Sequence, residues 1–599
     1  MSTAASGGLI RNAMVPMRDG VHLATDIYLP AGALDVPLPV LLERTPYDKD
    51  GTNHADFSVA ATAPLAKPEI AQIFASYGYA FVIQDCRGRY ASEGGFRKYL
   101  SEAEDGADTL AWLLAQPWCD GRIGTLGLSY GAHVQAAMAS LDPPGLAAMF
   151  LDSGGFSSAY HSGIRQGGAY ELKQLTWAQK HALLARETAT DPTRRAALEG
   201  QDIRDWIGVE RWAPGHSPIS AAPEYEAFIL EQRGIYARGW YDEFADVPMV
   251  HMSSWYDPYA LTAVENFTGL VGRKRGPVKL IMGPWTHGKR SLTFAGDADF
   301  GAASTLDFQF GDYTALRRAW FDHHLRHADV ADPLPEAVYL FTMGGGSGRR
   351  LPSGRIDHGG RWRTASAWPL PKTTMQPLHL RDDRRLGEQP LSAAHAKFTH
   401  DPHNPVPTIG GAIASGAPVM EAGGFDQRES PDFFGSKPPY APLADRPDVL
   451  VFDTDPLDTD LELTGQVVAE LFVSSTAVDT DFTIKVVDVY PPSADYPEGY
   501  ALNIAHGILR MRFRNSFEVP EAMEAGRIYA VQIASFPMSN LFGKGHRLRI
   551  EIASSNFPHF DINPNSDWRL PDQPPQSADN CVHFGPGQAS RVLLPVVAT

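Results

Sequence analysis

Cysteine is scarce in this 599-residue chain, which has three: Cys86, Cys119 and Cys581. Their odd number and wide spacing exclude a disulfide framework and a zinc-binding pair of CxxC motifs. They point instead to core thiols in a reducing compartment, most simply the cytoplasm. Long apolar runs are also missing. No stretch approaches eighteen uncharged apolar residues and Met1–Asp19 has no apolar h-region, so no membrane association is expected. Basic residues are in deficit, 52 Lys+Arg against 70 Asp+Glu, for a net charge of −18. Such an excess of acid repels phosphate backbones and argues against a nucleic-acid partner. HExxH and phosphate-binding glycine loops are absent, so neither a metal nor an organic cofactor is expected.

The sequence does contain a long series of short, ordered-looking segments separated by turns. The run Val15–Leu29 alternates apolar and polar residues about Asp19-Gly20 and predicts an opening hairpin. Apolar runs at Val36–Leu42, Tyr79–Gln84, Arg122–Leu128 and Ala147–Leu151 predict strands, and Leu100–Ala115 and Gly131–Ser140 read as helices between them. Strand, helix, strand at this spacing means a parallel sheet with covering helices. From Ser153 to Asp246 amphipathic segments such as Tyr170–Arg186 and Asp191–Leu198 take over, predicting an inserted helical cap. The β pattern returns with Val247–Ser253 and Val278–Met282, followed by a helical pattern at Tyr313–Leu325. Beyond Gly344 the segments are short and alternating, among them Asp448–Phe452, Gly465–Ser474, Thr480–Tyr490, Ala530–Ser535 and His546–Ala553. That pattern predicts an antiparallel β-sandwich. The expected architecture is an α/β-hydrolase domain (1–152 and 247–345), a helical cap inserted at 153–246, and a C-terminal jelly-roll β-sandwich at 346–599.

The sharpest chemical signal is Gly127-Leu128-Ser129-Tyr130-Gly131, placed after a strand and before a helix. Glycines on both sides let the chain turn sharply, so that the serine stands exposed at the helix N-terminus as a nucleophile. The alternative is a glycine-rich turn whose serine caps the helix. A serine at its free pKa is a weak nucleophile and needs a base and an orienting acid, which α/β-hydrolases supply in the chain order Ser, Asp, His. His287, in GPWTHG directly after the strand Val278–Met282, is the best-placed base. His251 falls inside a strand, and His323, His324 and His327 fall on a charged helical face. For the acid, Asp257 in Trp255-Tyr256-Asp257 follows a strand-like run, whereas Asp242 in Trp240-Tyr241-Asp242 ends the cap and reads as a capping or pairing residue. The backbone N–H of Tyr130 is the expected first oxyanion donor. The second should come from the loop after the strand containing Leu41 and Leu42, where no HGGG-type motif stands; Tyr47 there is by composition an ordinary loop aromatic.

The ordered set RTPYDK, QDCRGRYASEGGF, GLSYG, GGAYEL, SWYDPY, GPWTHG, DPHNPVPTIGG and SSNFPHFDINPN, spread over about 550 residues, resembles the cocaine esterase and X-prolyl dipeptidyl-peptidase family of serine hydrolases, which includes the α-amino-acid ester hydrolases. The resemblance implies an α/β-hydrolase domain, a helical cap and a jelly-roll, and a triad falling on Ser129, Asp257 and His287. It also implies an oxyanion hole made by the Tyr130 amide and the Tyr47 hydroxyl. Asp85, Arg87, Arg89 and Glu93 read as structural ion pairs and His133 as a packed histidine. In the α-amino-acid ester hydrolases, acids just after the triad aspartate help to hold the substrate ammonium, but here Pro258-Tyr259-Ala260-Leu261 follows Asp257. An unpaired ammonium is poorly accommodated in such a pocket, so uncharged acyl groups are expected, with Tyr170, Trp177, Trp255 and Trp285 as candidates for an aromatic substrate pocket.

The expectation is a serine carboxylesterase-type hydrolase that works through an acyl-enzyme on a small-molecule ester and water. The rivals are an X-prolyl peptidase or amino-acid ester hydrolase, whose ammonium anchor in the cap would have to be Glu171, and a jelly-roll binding protein with a vestigial hydrolase domain. The sandwich also offers a surface for a homodimer, a point the sequence leaves open.

Overall fold

The structure, a computed structural model, describes residues 8–31, 36–209, 232–326, 330–570 and 572–598; His327 lies outside them. The opening strands β1 (Leu9–Pro16) and β2 (His22–Tyr28) pair antiparallel. The chain reverses between them at Gly20, where φ is +85°. Beyond them come β3 (Leu38–Thr45), α1 (Lys67–Ser76), β4 (Ala80–Asp85), α2 (Glu102–Leu114), β5 (Cys119–Leu128), α3 (Tyr130–Ala139) and β6 (Leu146–Asp152). After the cap follow β9 (Met249–Tyr256), α7 (Ala260–Leu270), β10 (Val278–Thr286), α8 (Tyr313–Leu325) and β11 (Val338–Gly344). The strands lie in the order β1-β2-β4-β3-β5-β6-β9-β10-β11, parallel from β4 onward. Helices cover both faces, and so β4 and β9 are buried along their whole length and carry no polar-out alternation.

The cap contains the short hairpin β7 (Arg165–Gln166) and β8 (Ala169–Tyr170), then α4 (Lys173–Ala182), α5 (Arg186–Ala189) and α6 (Pro192–Glu199). The helix expected from Tyr170 starts three residues later, at Lys173. Gly167 and Gly168, both at positive φ, turn the hairpin and leave Tyr170 in a strand, its amide donating to Asp561. By contrast α6 begins as its sequence predicts: Asp191 accepts from the amides of Thr193 and Arg194, and Pro192 occupies the first turn.

The C-terminal region is a two-layered β-sandwich. One sheet has the order Leu450–Asp453, Arg547–Ala553, Asp481–Tyr490, Tyr500–Arg510. In the other, Val468–Ser475 pairs with Tyr529–Ala534, Ala578–Phe584 and Arg591–Val597. The two regions share one hydrogen-bonded ladder. β11 pairs with β10 on one side and antiparallel with Gly360–Ala365 on the other, and its last residues also meet Met538–Phe542. The core follows the ladder, so that Leu280, Trp255 and Phe341 of the hydrolase sheet and Ile484 and Ile550 of the sandwich belong to one buried cluster.

Candidate active site

β5 ends at Leu128 and α3 begins at Tyr130, which leaves Ser129 alone in the turn at φ 60°, ψ −116°. A non-glycine residue held at positive φ costs about 1–3 kcal/mol and persists only where the surroundings enforce it. Here they do. The Ser129 amide donates to the Asp152 carbonyl at 2.8 Å. Two glycines supply room: a Cβ on Gly127 would stand 2.8 Å from the Gly131 backbone, and one on Gly154 would stand 2.2 Å from the Ser129 carbonyl oxygen. The Tyr130 amide is the first of α3 and has no intrahelical acceptor. Its side chain locks the elbow from below, donating to Glu102 Oε1 at 2.9 Å and accepting from the Tyr99 amide, while Glu102 pairs with the buried Arg44.

Asp257 leaves the end of β9 and His287 the end of β10, and β9 and β10 are adjacent parallel strands. Their C-terminal loops therefore meet, and His287 Nδ1 lies 2.8 Å from Asp257 Oδ2. Burial alone would raise the Asp257 pKa. The His287 charge, the His287 hydrogen bond, the Tyr259 amide at 2.8 Å and the Ser153 side chain outweigh it and hold the carboxyl below its ordinary value. The carboxylate is thus ionised, fully buried and fixed from several sides. Ser153 and Tyr259 were not apparent from the sequence. Behind His287, Arg290 pairs with the buried Asp152 and donates to the Ala55 carbonyl at 2.9 Å, tying the histidine loop to the elbow.

Tyr47 stands on the loop after β3. Its hydroxyl accepts from Trp177 Nε1 at 3.0 Å and hydrogen-bonds with the Ser129 side chain. Burial pushes its pKa up to about 12, against the pull of those two hydrogen bonds. It is therefore protonated at neutral pH and able to donate. Trp177 and Ser129 thus both hold the Tyr47 hydroxyl beside the serine.

Ser129 borders two cavities. The larger, about 440 Å³, also has Tyr47, His54, Trp177, His181 and His287 in its wall. The smaller, about 20 Å³, is bounded by Lys98, Tyr99, His133, Lys173 and Tyr259 together with Tyr47, Tyr130 and Trp177. One wall comes from the C-terminal region: Ile413, Ala414, Ser415, Gly416, Met420 and Ala422 face the larger cavity, and the Ser415 carbonyl accepts from Thr176 in the cap. This contribution follows directly on DPHNPVPTIGG, but nothing in its small, apolar composition marks it as part of a site.

Three of the four aromatic candidates for the pocket stand elsewhere. Trp255 is buried, donates to the Phe341 carbonyl at 2.7 Å and stacks on Trp368. Trp285 is likewise buried and donates to the Ser304 carbonyl at 2.9 Å. In a strand, residues next to a catalytic loop point alternately into the core, and that is where these indoles go. Tyr170 packs in the aromatic cluster around Trp177 without lining either cavity. Trp177 alone borders both. His133 is packed among Tyr99, Tyr130 and Phe156, and burial drives its pKa down to about 3.

The charged residues expected to form structural pairs divide. Arg87 bridges Asp105 and Asp19, and Glu93 pairs with His22. Asp85 instead accepts from the Lys49 amide at 2.8 Å. Arg89 has no carboxylate partner among the described residues: it donates to the His181 carbonyl and lies over the Phe96 ring. Asp242 pairs with Arg273 on the surface. Glu171 is fully buried against Lys173 at 2.5 Å and borders neither cavity. The three cysteines are free, with Cys119 half-buried and the other two buried.

The strand order, the serine elbow and the loops that bring an aspartate and a histidine together define an α/β-hydrolase of the serine type. Residues 19–289 match the X-Pro dipeptidyl-peptidase (S15 family), and residues 331–593 match the X-Pro dipeptidyl-peptidase C-terminal non-catalytic domain. The chain is 33% identical to the cocaine esterase of Rhodococcus sp. (strain MB1 Bresler) over 98% of both chains. It is 27% identical to a putative serine esterase of Mycobacterium bovis over 97% of this chain and 94% of the relative. Among solved structures, an α-amino acid ester hydrolase superposes with a TM-score of 0.74 at 24% identity, covering 100% of this chain and 98% of the other. An aminopeptidase from a marine sediment archaeon, Thaumarchaeota archaeon, gives the same TM-score at 22% identity with the same coverage. The chain belongs to the cocaine esterase and X-Pro dipeptidyl-peptidase family and is an enzyme, a serine hydrolase of the esterase class. No described helix is long and apolar enough to cross a membrane.

Proposed function

We propose that the enzyme cleaves carboxylic esters through Ser129, His287 and Asp257, with the Tyr130 amide and the Tyr47 hydroxyl as the oxyanion hole. Ser129 Oγ attacks the acyl carbon while His287 takes its proton, and the alcohol leaves with that proton as the tetrahedral intermediate collapses. Water, deprotonated by His287, then adds to the acyl-enzyme, and the acid is released as Ser129 regains its proton. Asp257 orients the imidazole and stabilises its cationic form. The observation that carries this reading is the 2.8 Å contact of His287 Nδ1 with a buried, ionised Asp257 in a histidine loop that borders the same cavity as Ser129.

Substrates with an ammonium on the acyl group are disfavoured. Among the described residues the smaller cavity has no carboxylate in its wall, and Glu171 is already paired. A reducing, cytoplasmic setting accords with the free thiols.

The test is hydrolysis of p-nitrophenyl acetate and butyrate, benzoate esters, an amino-acid ester and a Gly-Pro anilide by wild type and Ser129→Ala. Turnover of esters lacking the ammonium, lost roughly a thousandfold or more in the variant, is the expected result. Reaction of only the amino-acid ester or the anilide would overturn the acyl preference. Equal inertness of both proteins would remove Ser129 from the reaction.

A further inference from the structure

The chain as a whole is acidic, at −18, yet the space around Ser129 is not. The larger cavity is bordered by Lys67, Lys180 and Lys289 against one acid, Glu43, and the smaller by Lys98 and Lys173 with no acid among the described residues. Lys173 is neutralised by Glu171. No described residue supplies Lys98 with a counter-charge. Among the described residues its ammonium makes one hydrogen bond, to Gln174 Oε1 at 2.6 Å, and otherwise lies against the rings of Trp177, at 3.7 Å, and Tyr99, at 4.9 Å. An ammonium has three protons to donate, and among the described residues Gln174 is the one hydrogen-bond acceptor it meets. Lys98 is half-buried, and holding an ammonium partly out of water without a counter-charge is costly. Burial holds the Lys98 pKa well below its ordinary value, with Lys173 and Arg89 adding repulsion and no acid offsetting it. Trp177, whose indole N–H meets Tyr47, also carries Lys98 on its ring, so the lysine stands one side chain away from the oxyanion donor.

Resting on the esterase reading above, we propose that the acyl part of the substrate carries a carboxylate and that Lys98 binds it, making the enzyme a hydrolase of short dicarboxylic half-esters. The carboxylate supplies the counter-charge that no described residue provides and accepts from the ammonium. The acyl chain is short, because the free space beside Lys98 is that of about one water molecule. Two residues thereby share the specificity: Glu171 keeps Lys173 neutralised, and Lys98 remains for the ligand.

The experiment compares kcat/KM for monoethyl malonate, succinate and glutarate with that for ethyl butyrate and valerate, and for 4-carboxyphenyl acetate with phenyl acetate, in wild type and Lys98→Met. At least one half-ester is expected to exceed the neutral esters tenfold or more, and the ratio is expected to fall at least tenfold in the variant. Neutral esters hydrolysed as well as all three half-esters would overturn the proposal, as would a ratio unchanged by Lys98→Met or a carboxylate preference confined to the alcohol side. Calorimetric titration of malonate and succinate into Ser129→Ala, with and without Lys98→Met, separates this proposal from the esterase reading. Binding abolished by the lysine change supports the carboxylate site even if no ester is turned over, and no binding overturns it even if neutral esters are good substrates.

Discussion

At the scale of single residues, Tyr47 and Trp177 form a relay whose parts separate by mutation. Tyr47→Phe removes the proposed side-chain oxyanion donor and is expected to lower kcat by roughly 10²–10³-fold. Trp177→Phe keeps the ring but removes the hydrogen bond that aims the Tyr47 hydroxyl. A net hydrogen bond of about 1 kcal/mol gives an expected fall of about three- to tenfold, and steady-state kinetics on one neutral ester measures both. Asp85 offers a separate test. Burial raises its pKa to about 7 in the folded protein, so its contribution to stability is fully present below the unfolded value near 4 and is lost as pH rises through about 7. Asp85→Asn, which keeps an acceptor for the Lys49 amide, is expected to gain Tm relative to wild type at pH 8 and to lose that advantage by pH 5, read from thermal unfolding. Ser129, His287 and Asp257, the triad proposed above, could be picked out as candidates in the sequence because each sits in a loop directly after an apolar run. Tyr47 came only through family resemblance. Lys98 was not legible at all, since a lysine in QDCRGRYASEGGFRK looks like any surface lysine until Trp177 arrives from a distant helix.

Among the elements, the elbow depends on glycines outside its own motif. A methyl group on Gly154 would collide with the Ser129 carbonyl oxygen, so Gly154→Ala is expected to lower both Tm and kcat, seen as reduced fluorophosphonate labelling in protein that circular dichroism shows still folded. The GLSYG pentapeptide announces the turn, whereas the need for Gly154 arises only when the end of β6 packs beside β5. Strands were read well for the same reason that they form: doubly covered parallel strands are short apolar runs bounded by turn residues. The Tyr170 end of the cap was misread because a two-residue hairpin carries no periodicity of its own, and its amide is held by an aspartate almost four hundred positions away.

For the molecule as a whole, the ladder through β11 makes the hydrolase and sandwich regions one structure, although their sequence patterns part cleanly near Gly344. A core shared across that ladder predicts a single unfolding transition, with esterase activity and tryptophan emission lost at the same temperature. Two separated transitions would contradict it. The residues 413–422 that wall the cavity give the same dependence a chemical form, because a chain ending at 345 has the proposed triad residues without this wall. Synthesis gives that arrangement a clock. A ribosome adds about 5–20 residues per second, and about 125 residues separate His287 from the segment 413–422 that walls the cavity. For roughly six to twenty-five seconds the growing chain therefore carries Ser129, Asp257 and His287 without the wall that later encloses them.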